Sequence, residues 1–213
     1  AYSDAWVEDS RLVLLNAVDA ERRGAAIHTR TAFTAATRRA EGWDVELTPD
    51  AGTPFRITAR AVVNAAGPWV QQALDAAHAT KPGSVRLIRG SHIVLPRLYE
   101  GDHAFILQND DRRVVFVIPY EGRYSLVGTT DVPHEGDPAK AVCTPEEAAY
   151  LCAAVNRQFR QQVTPADIVW SYSGVRPLFD DGAADPSAVT RDYVLKLDQS
   201  GAPLLSIYGG KIT

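Results

Sequence analysis

The sequence predicts a mixed protein of the α+β (α/β) type, and three observations carry that reading. Near the start, Leu12, Leu15, Val18 and Ala25-Ala26 recur at helical spacing. A short, non-alternating apolar run, Ala61 to Ala66, enters Gly67-Pro68-Trp69 and a second helix, as a buried parallel strand would. From Val85 onward, strand candidates follow one another roughly ten residues apart, the spacing of an antiparallel sheet.

In chain order, the first helix spans Asp9 to Arg23, with Asp9 or Ser10 as its cap and Gly24 as its stop. Ala26-Ile27-His28-Thr29 and Ala32 to Thr37 read as strand. Trp43 to Thr48 and Phe55 to Ala61 alternate around a turn at Asp50-Ala51-Gly52-Thr53, which predicts a small meander. Pro68 suits the first turn of a helix running from Val70 to Ala79. Strands are expected at Leu87-Ile88, His92 to Leu95, Ala104 to Leu107, Val114 to Ile118 and Tyr124 to Val127. Thr144 caps a helix to Gln161, with Pro145 in its first turn and Glu146-Glu147 complementing its dipole. Ile168 to Tyr172 is a strand leading into Ser173-Gly174-Val175-Arg176-Pro177. Tyr193 to Leu197 and Leu204 to Tyr208 form a hairpin turned at Gln199-Ser200-Gly201.

The chain has 213 residues, 46% hydrophobic and 23% charged, enough to bury a sizeable core in one large or two modest domains. Its net charge of −4 argues against a general nucleic-acid binder. Cys143 and Cys152 fit no zinc spacing and read as reduced thiols. No apolar run reaches the roughly 18 residues of a membrane span, and no signal-peptide pattern is present. The chain begins at Ala1 and stops at Thr213 inside a glycine turn, which predicts an internal fragment of a longer protein.

Several residues carry candidate chemistry. Asn64-Ala65-Ala66-Gly67 places small residues at a strand end, which suits either close approach of a cofactor or a tight packing turn. Arg176 and Arg191 sit at element ends, either clamping a dianionic phosphate or lying solvated at the surface. Lys211 follows Gly209-Gly210 at the end of an apolar strand, a common way to build an anion or cofactor site. His92, in Arg89-Gly90-Ser91-His92-Ile93, is either a proton shuttle or a structural histidine at a strand start. Thr129-Thr130-Asp131 either holds a ligand or forms a turn. His28, His78, His103 and His134 have no chemical companions, no metal-ligand set is present, and no nucleophile-elbow serine occurs.

In order, Val63-Asn64-Ala65-Ala66-Gly67-Pro68-Trp69, Arg86 to Val94, Gln108-Asn109-Asp110, Phe116 to Pro119, Gly128-Thr129-Thr130-Asp131, Ile168 to Leu178, Thr190 to Tyr193 and Gly209 to Thr213 resemble the FAD-dependent, aerobic-type glycerol-3-phosphate dehydrogenases. These belong to the D-amino-acid-oxidase-like flavoproteins. The resemblance implies part of an FAD-binding Rossmann-like domain at residues 1–84. A mixed or antiparallel-sheet substrate domain would follow at 85–200, and a return strand to the FAD domain at 201–213.

It also implies oxidation of sn-glycerol 3-phosphate to dihydroxyacetone phosphate, with hydride passing to FAD and electrons to quinone. Arg176, Arg191, Thr129 and Lys211 would contact substrate. Arg176, Lys211 and His92 would serve the chemistry, although a guanidinium, which stays protonated, is no simple general base. Phe33, Ala65, Ala66, Gly67, Gly209, Gly210 and Lys211 would line the FAD. The parent would be a cytoplasmic protein held peripherally on the inner membrane. No Gly-x-Gly-x-x-Gly turn occurs in the chain, so this piece alone is expected to bind little FAD and to be inactive. Alternatives are a related amine or amino-acid oxidase, which would clamp a carboxylate with one Arg, and a non-catalytic module that binds a phosphorylated metabolite.

Overall fold

The computed structural model describes residues 3, 7–180 and 192–210. They form three helices longer than one turn and three separate sheets. Helix α1 (Asp9–Arg22) buries none of its residues, and its N-cap is Glu8, without a side-chain cap, in place of the expected Asp9 or Ser10. It ends as expected at Gly24, where φ is +96°. Gly24 N donates to Glu21 O and Ala25 N to Ala20 O, the two reverse bonds of a Schellman turn.

Ala26 to Thr29 is not a strand. A strand is defined by a neighbouring backbone, and among the described residues none pairs with this stretch. The meander then forms as predicted from β1 (Thr31–Arg38), β2 (Trp43–Pro49) and β3 (Phe55–Ala59). Trp43 anchors it: the ring is buried, its Nε1 donates to Pro203 O at 3.1 Å, and the Arg38 guanidinium lies 4.6 Å from the ring centre.

Strand β4 (Val62–Asn64) runs into a 3₁₀ turn (Gly67–Trp69) and α2 (Val70–Ala76). That helix stops three residues short of expectation, because His78 adopts φ +48° while Ala79 N returns to Leu74 O.

The second part of the chain contains β5 (Val85–Pro96), β6 (Phe105–Gln108), β7 (Val114–Tyr120), β8 (Tyr124–Gly128), β9 (Val132–Pro133), α3 (Pro145–Gln158) and β10 (Trp170–Phe179). The expected Leu87-Ile88 and His92–Leu95 strands are one strand, β5, so His92 lies mid-strand. Arg176 is likewise within β10, not beyond its end. The ladder from Trp170↔Val94 to Phe179↔Val85 is unbroken, so Gly174 and Pro177 do not break it. Pro177 is tolerated because β10 is the edge of the sheet order β10-β5-β8-β7-β6, and an edge strand can spare a donor.

Strands β11 (Tyr193–Asp198) and β12 (Leu204–Gly209) form the predicted hairpin, and β4 pairs with β12 in parallel. The parallel pairing matches expectation, but Val63 is 60% exposed, so β4 is not covered on both faces.

Two cores result. Ala36, Trp43, Val45, Val70, Leu74, Leu204 and Tyr208 join the meander, α2 and β12. Ile93, Leu95, Val115, Val117, Val127, Leu151 and Val155 join α3 to one face of the large sheet. Helix α3 ends three residues before the expected Gln161 but starts as predicted. Thr144 Oγ1 accepts from Glu147 N, and Glu147 Oε2 accepts from Thr144 N, closing a capping box.

Candidate functional site

Side chains alternate across a strand, so each residue of β5 has one of two destinations. Arg89, Ser91, Ile93 and Leu95 face α3. Gly90 and His92 face the other way, together with Tyr172, Gly174 and Arg176 of β10 and Gly128 of β8, their cross-strand partners or neighbours two residues on. Phe116 pairs with Gly128, and Ile106 with Phe116, so Ile106, Phe116, Gly128, His92 and Tyr172 form one row across this second face. Phe116, Ile106, Trp170 and Tyr172 are all exposed on it.

Arg176 reaches across β5. Its Nη2 donates to Thr130 O at 2.7 Å and lies 2.8 Å from Asp131 Oδ1. Gly90 makes that reach possible: a Cβ there would lie 2.5 Å from Thr129 Oγ1 and 2.6 Å from Arg176 Nη2. The His92 ring occupies the equivalent space over Gly128, where any Cβ would collide with it. The ring stacks on Tyr172 with centroids 4.9 Å apart and planes 5° from parallel. Burial, aided by the nearby Arg176 charge, lowers the His92 pKa to about 4, so the imidazole is neutral near pH 7. Its Nδ1 is buried without a hydrogen-bond partner.

Thr129-Thr130-Asp131 is the gap between β8, which leaves β5 at His92↔Gly128, and β9, which rejoins it at Arg89↔Val132. In that gap Ser91 N donates to Thr130 Oγ1 at 2.9 Å instead of to a strand carbonyl.

The residues expected to face a cofactor fall in two places. β4 and β12 are parallel, and their carboxyl ends carry Ala65-Ala66-Gly67 and Gly209-Gly210. Gly67, Gly209 and Gly210 have φ of +54°, +65° and +94°, where a side chain would be strained. A Cβ at Gly67 would touch Pro177 at 3.9 Å, and one at Gly209 would press on Phe179 N at 3.3 Å. Both strand ends therefore abut the end of β10 that carries Arg176. Asn64, itself buried, braces the turn: its Nδ2 donates to Val70 O, and its Oδ1 accepts from Ala66 N. These bonds are those of the packing-turn reading of this segment. Glycine-lined carboxyl ends of parallel strands suit a nucleotide cofactor.

Phe33 lies on β1 and packs against the meander core. Arg191 and Lys211 lie outside the described residues. The sequence reading gave no role to Gly90, Gly128 and Tyr172, and it named Asp131 only within a polar cluster. Alternation would have exposed the first three once β5 and β10 were read as continuous strands. Cys143 and Cys152 are free thiols. Among the described residues, no group of His, Cys, Asp and Glu could hold a metal ion, and no helix is long and apolar enough to cross a membrane.

The model of the DAO family, FAD dependent oxidoreductase, matches residues 1–213. The chain is 52% identical to a glycerol-3-phosphate dehydrogenase of Pseudomonas aeruginosa and 50% identical to a D-erythritol 1-phosphate dehydrogenase of Brucella abortus, in each case over all of this chain. It spans 42% and 43% of the length of those two relatives. The fold superposes with a TM-score of 0.81 on the glycerol-3-phosphate dehydrogenase of Bacillus halodurans, solved with FAD, at 29% identity, covering 96% of this chain and 39% of that one. With alternating strands that gather Arg176, His92 and two glycine-lined strand ends, and with a family match along its whole length, the chain belongs to the FAD-dependent oxidoreductases.

Proposed function

We propose that the protein containing this chain oxidises sn-glycerol 3-phosphate to dihydroxyacetone phosphate and passes the electrons to a quinone. The observation that carries this reading is the 52% identity to a glycerol-3-phosphate dehydrogenase over all of this chain, and Arg176 with the half-buried imidazole of His92, on the sheet face beside the glycine-lined ends of β4 and β12, is compatible with it. Gly67, Gly209 and Gly210 would lie beside FAD; their positive φ values strain any side chain, which keeps the strand ends as bare backbone. When bound, FAD supplies the hydride acceptor.

The chain's own residues would do the following. Arg176 binds the substrate phosphate, exchanging part of its contact with Asp131 for a stronger charge-assisted pair. Thr129 hydrogen-bonds the substrate beside it. His92 faces the reacting hydroxyl. A dianion against Arg176 cancels the charge that helps depress the His92 pKa, which makes the imidazole a better proton acceptor once substrate is in place. Arg191 would supply a second phosphate contact, and Lys211 would steady negative charge developing near the flavin. Phe33, Ala65 and Ala66 would line the FAD. Residues 1–84 and 201–213 would belong to the FAD domain and 85–200 to the substrate domain. On this reading the protein would lie peripherally at the cytoplasmic face of the inner membrane, and its activity would belong to glycerol metabolism.

The similar identities to a glycerol and an erythritol phosphate dehydrogenase favour a second substrate reading, a four-carbon polyol phosphate. The test is anaerobic mixing of the full-length, flavin-loaded protein with each compound while flavin absorbance is followed. Bleaching by sn-glycerol 3-phosphate, with none by glycerol, supports the proposal. Faster bleaching by erythritol phosphate selects the longer substrate. Bleaching by amino acids alone would replace the proposal with an amine oxidase. Phosphate-ester binding without bleaching would replace it with a binding module.

A further inference from the structure

Beneath the site, on the α3 side of the sheet, sits a carboxylate with no evident part in the chemistry. Glu147 is 5% exposed and collects four donors. Its Oε1 accepts from Ser91 Oγ at 2.9 Å and Thr130 Oγ1 at 2.6 Å. Its Oε2 accepts from Thr144 N at 3.1 Å and the Arg89 guanidinium at 3.0 Å. Burial alone would raise its pKa, but these bonds hold it below the ordinary carboxylate value. Ser91 Oγ is shared with Ser173 Oγ of β10 at 2.7 Å, so the cluster also ties β5 to the strand that carries Arg176.

Thr130 connects this layer to the open face. Its hydroxyl points down to Glu147 and fills the broken ladder at Ser91 N. Its carbonyl points up and accepts from Arg176 Nη2 at 2.7 Å and from Thr129 Oγ1 at 3.2 Å. Residues 129–131 have no strand pairing of their own, so the Thr130 side chain is what fixes their height above the sheet. We infer that Glu147 is a positioning residue: through Thr130 it sets the placement of the Arg176 guanidinium and the Thr129 hydroxyl. A bare helix cap would need only Thr144, whereas here the capping glutamate is also the anchor of the site loop.

The role in substrate binding rests on the proposed function, but the placement of Arg176 does not, and the experiment separates the two. In the full-length protein, Glu147→Ala, Thr130→Val and Thr144→Ala are compared with the parent sequence. The first readout is the rate at which phenylglyoxal labels Arg176, mapped by mass spectrometry. The second is KM against kcat for sn-glycerol 3-phosphate. Thr144→Ala removes the cap acceptor for Glu147 N but leaves the Glu147–Thr130 bond, so it reports a merely structural role.

The expected result is labelling several-fold faster in Glu147→Ala and Thr130→Val, unchanged in Thr144→Ala, with KM raised about tenfold in the first two only. Equal labelling in all four proteins overturns the inference. So does a Thr144→Ala effect as large as that of Glu147→Ala. Faster labelling in a protein that sn-glycerol 3-phosphate does not reduce would uphold the positioning role and sink the substrate assignment alone.

Discussion

Replacing Gly90 by Ala tests the geometry of the site with one methyl group. The new Cβ would lie 2.6 Å from Arg176 Nη2 and 2.5 Å from Thr129 Oγ1. Carbon and nitrogen settle near 3.5 Å, so the guanidinium must retreat by about 1 Å. That is enough to break its 2.7 Å bond to Thr130 O. A misplacement of about 1 Å at a positioning group costs roughly 10²-fold in rate, or about 2.7 kcal/mol of transition-state stabilisation.

Stability should hardly move. Gly90 lies in extended strand with no positive φ, so Ala removes about 0.4–1 kcal/mol of unfolded-state entropy. The lost ion pair to Asp131 is 38% and 44% exposed and offsets only about that much. The assay is kcat/KM for sn-glycerol 3-phosphate in the full-length protein, alongside its urea midpoint. A variant that keeps kcat/KM within about threefold would refute the claim that Gly90 exists to let Arg176 through. A large loss of stability would show that the damage is not local.

Other outcomes follow from the same structure. His92, at about 4 when folded and 6.5 when unfolded, takes up its proton in the unfolded chain first, so stability is full above about pH 6.5 and falls as pH drops towards 4. The loss approaches ~3 kcal/mol, and urea midpoints of His92→Gln measured across that window should show a shallower slope. Arg176→Lys keeps the charge but loses the fork, and is expected to raise KM by about tenfold or more in steady-state assays. Leu151→Ala, at a fully buried position between α3 and the sheet, should cost about 3–4 kcal/mol by urea unfolding while leaving KM for substrate unchanged.

The sequence made local structure legible and pairing much less so. Thr144, Pro145 and Glu147 announced the start of α3, and Gly24 the end of α1, because caps are written within a few residues. Ala26 to Thr29 misled because a strand is completed only by a neighbour, which local apolar content does not supply. Ser173 to Pro177 read as the stretch that follows a strand, and the edge position of β10 is what lets Pro177 sit within one. His92, Thr129 and Arg176 were chosen as separate motifs, and the ladders of β5 with β10 and β8 are what bring them together. Glu147 was read as a dipole partner alone; its second role depends on Thr130, seventeen residues away.

Strand β5 is read on both sides, and this limits how the chain can change over time. Its odd-numbered residues Arg89, Ser91 and Ile93 serve the interior under α3, and its even-numbered Gly90 and His92 serve the site. A single-residue insertion or deletion within the strand would exchange the two sets, sending the arginine and serine outward and the glycine and imidazole into the apolar layer. Length variation among descendants of this sequence should therefore collect in the turns around β5, such as residues 97–104, and spare its interior, where substitution one residue at a time is the only route open.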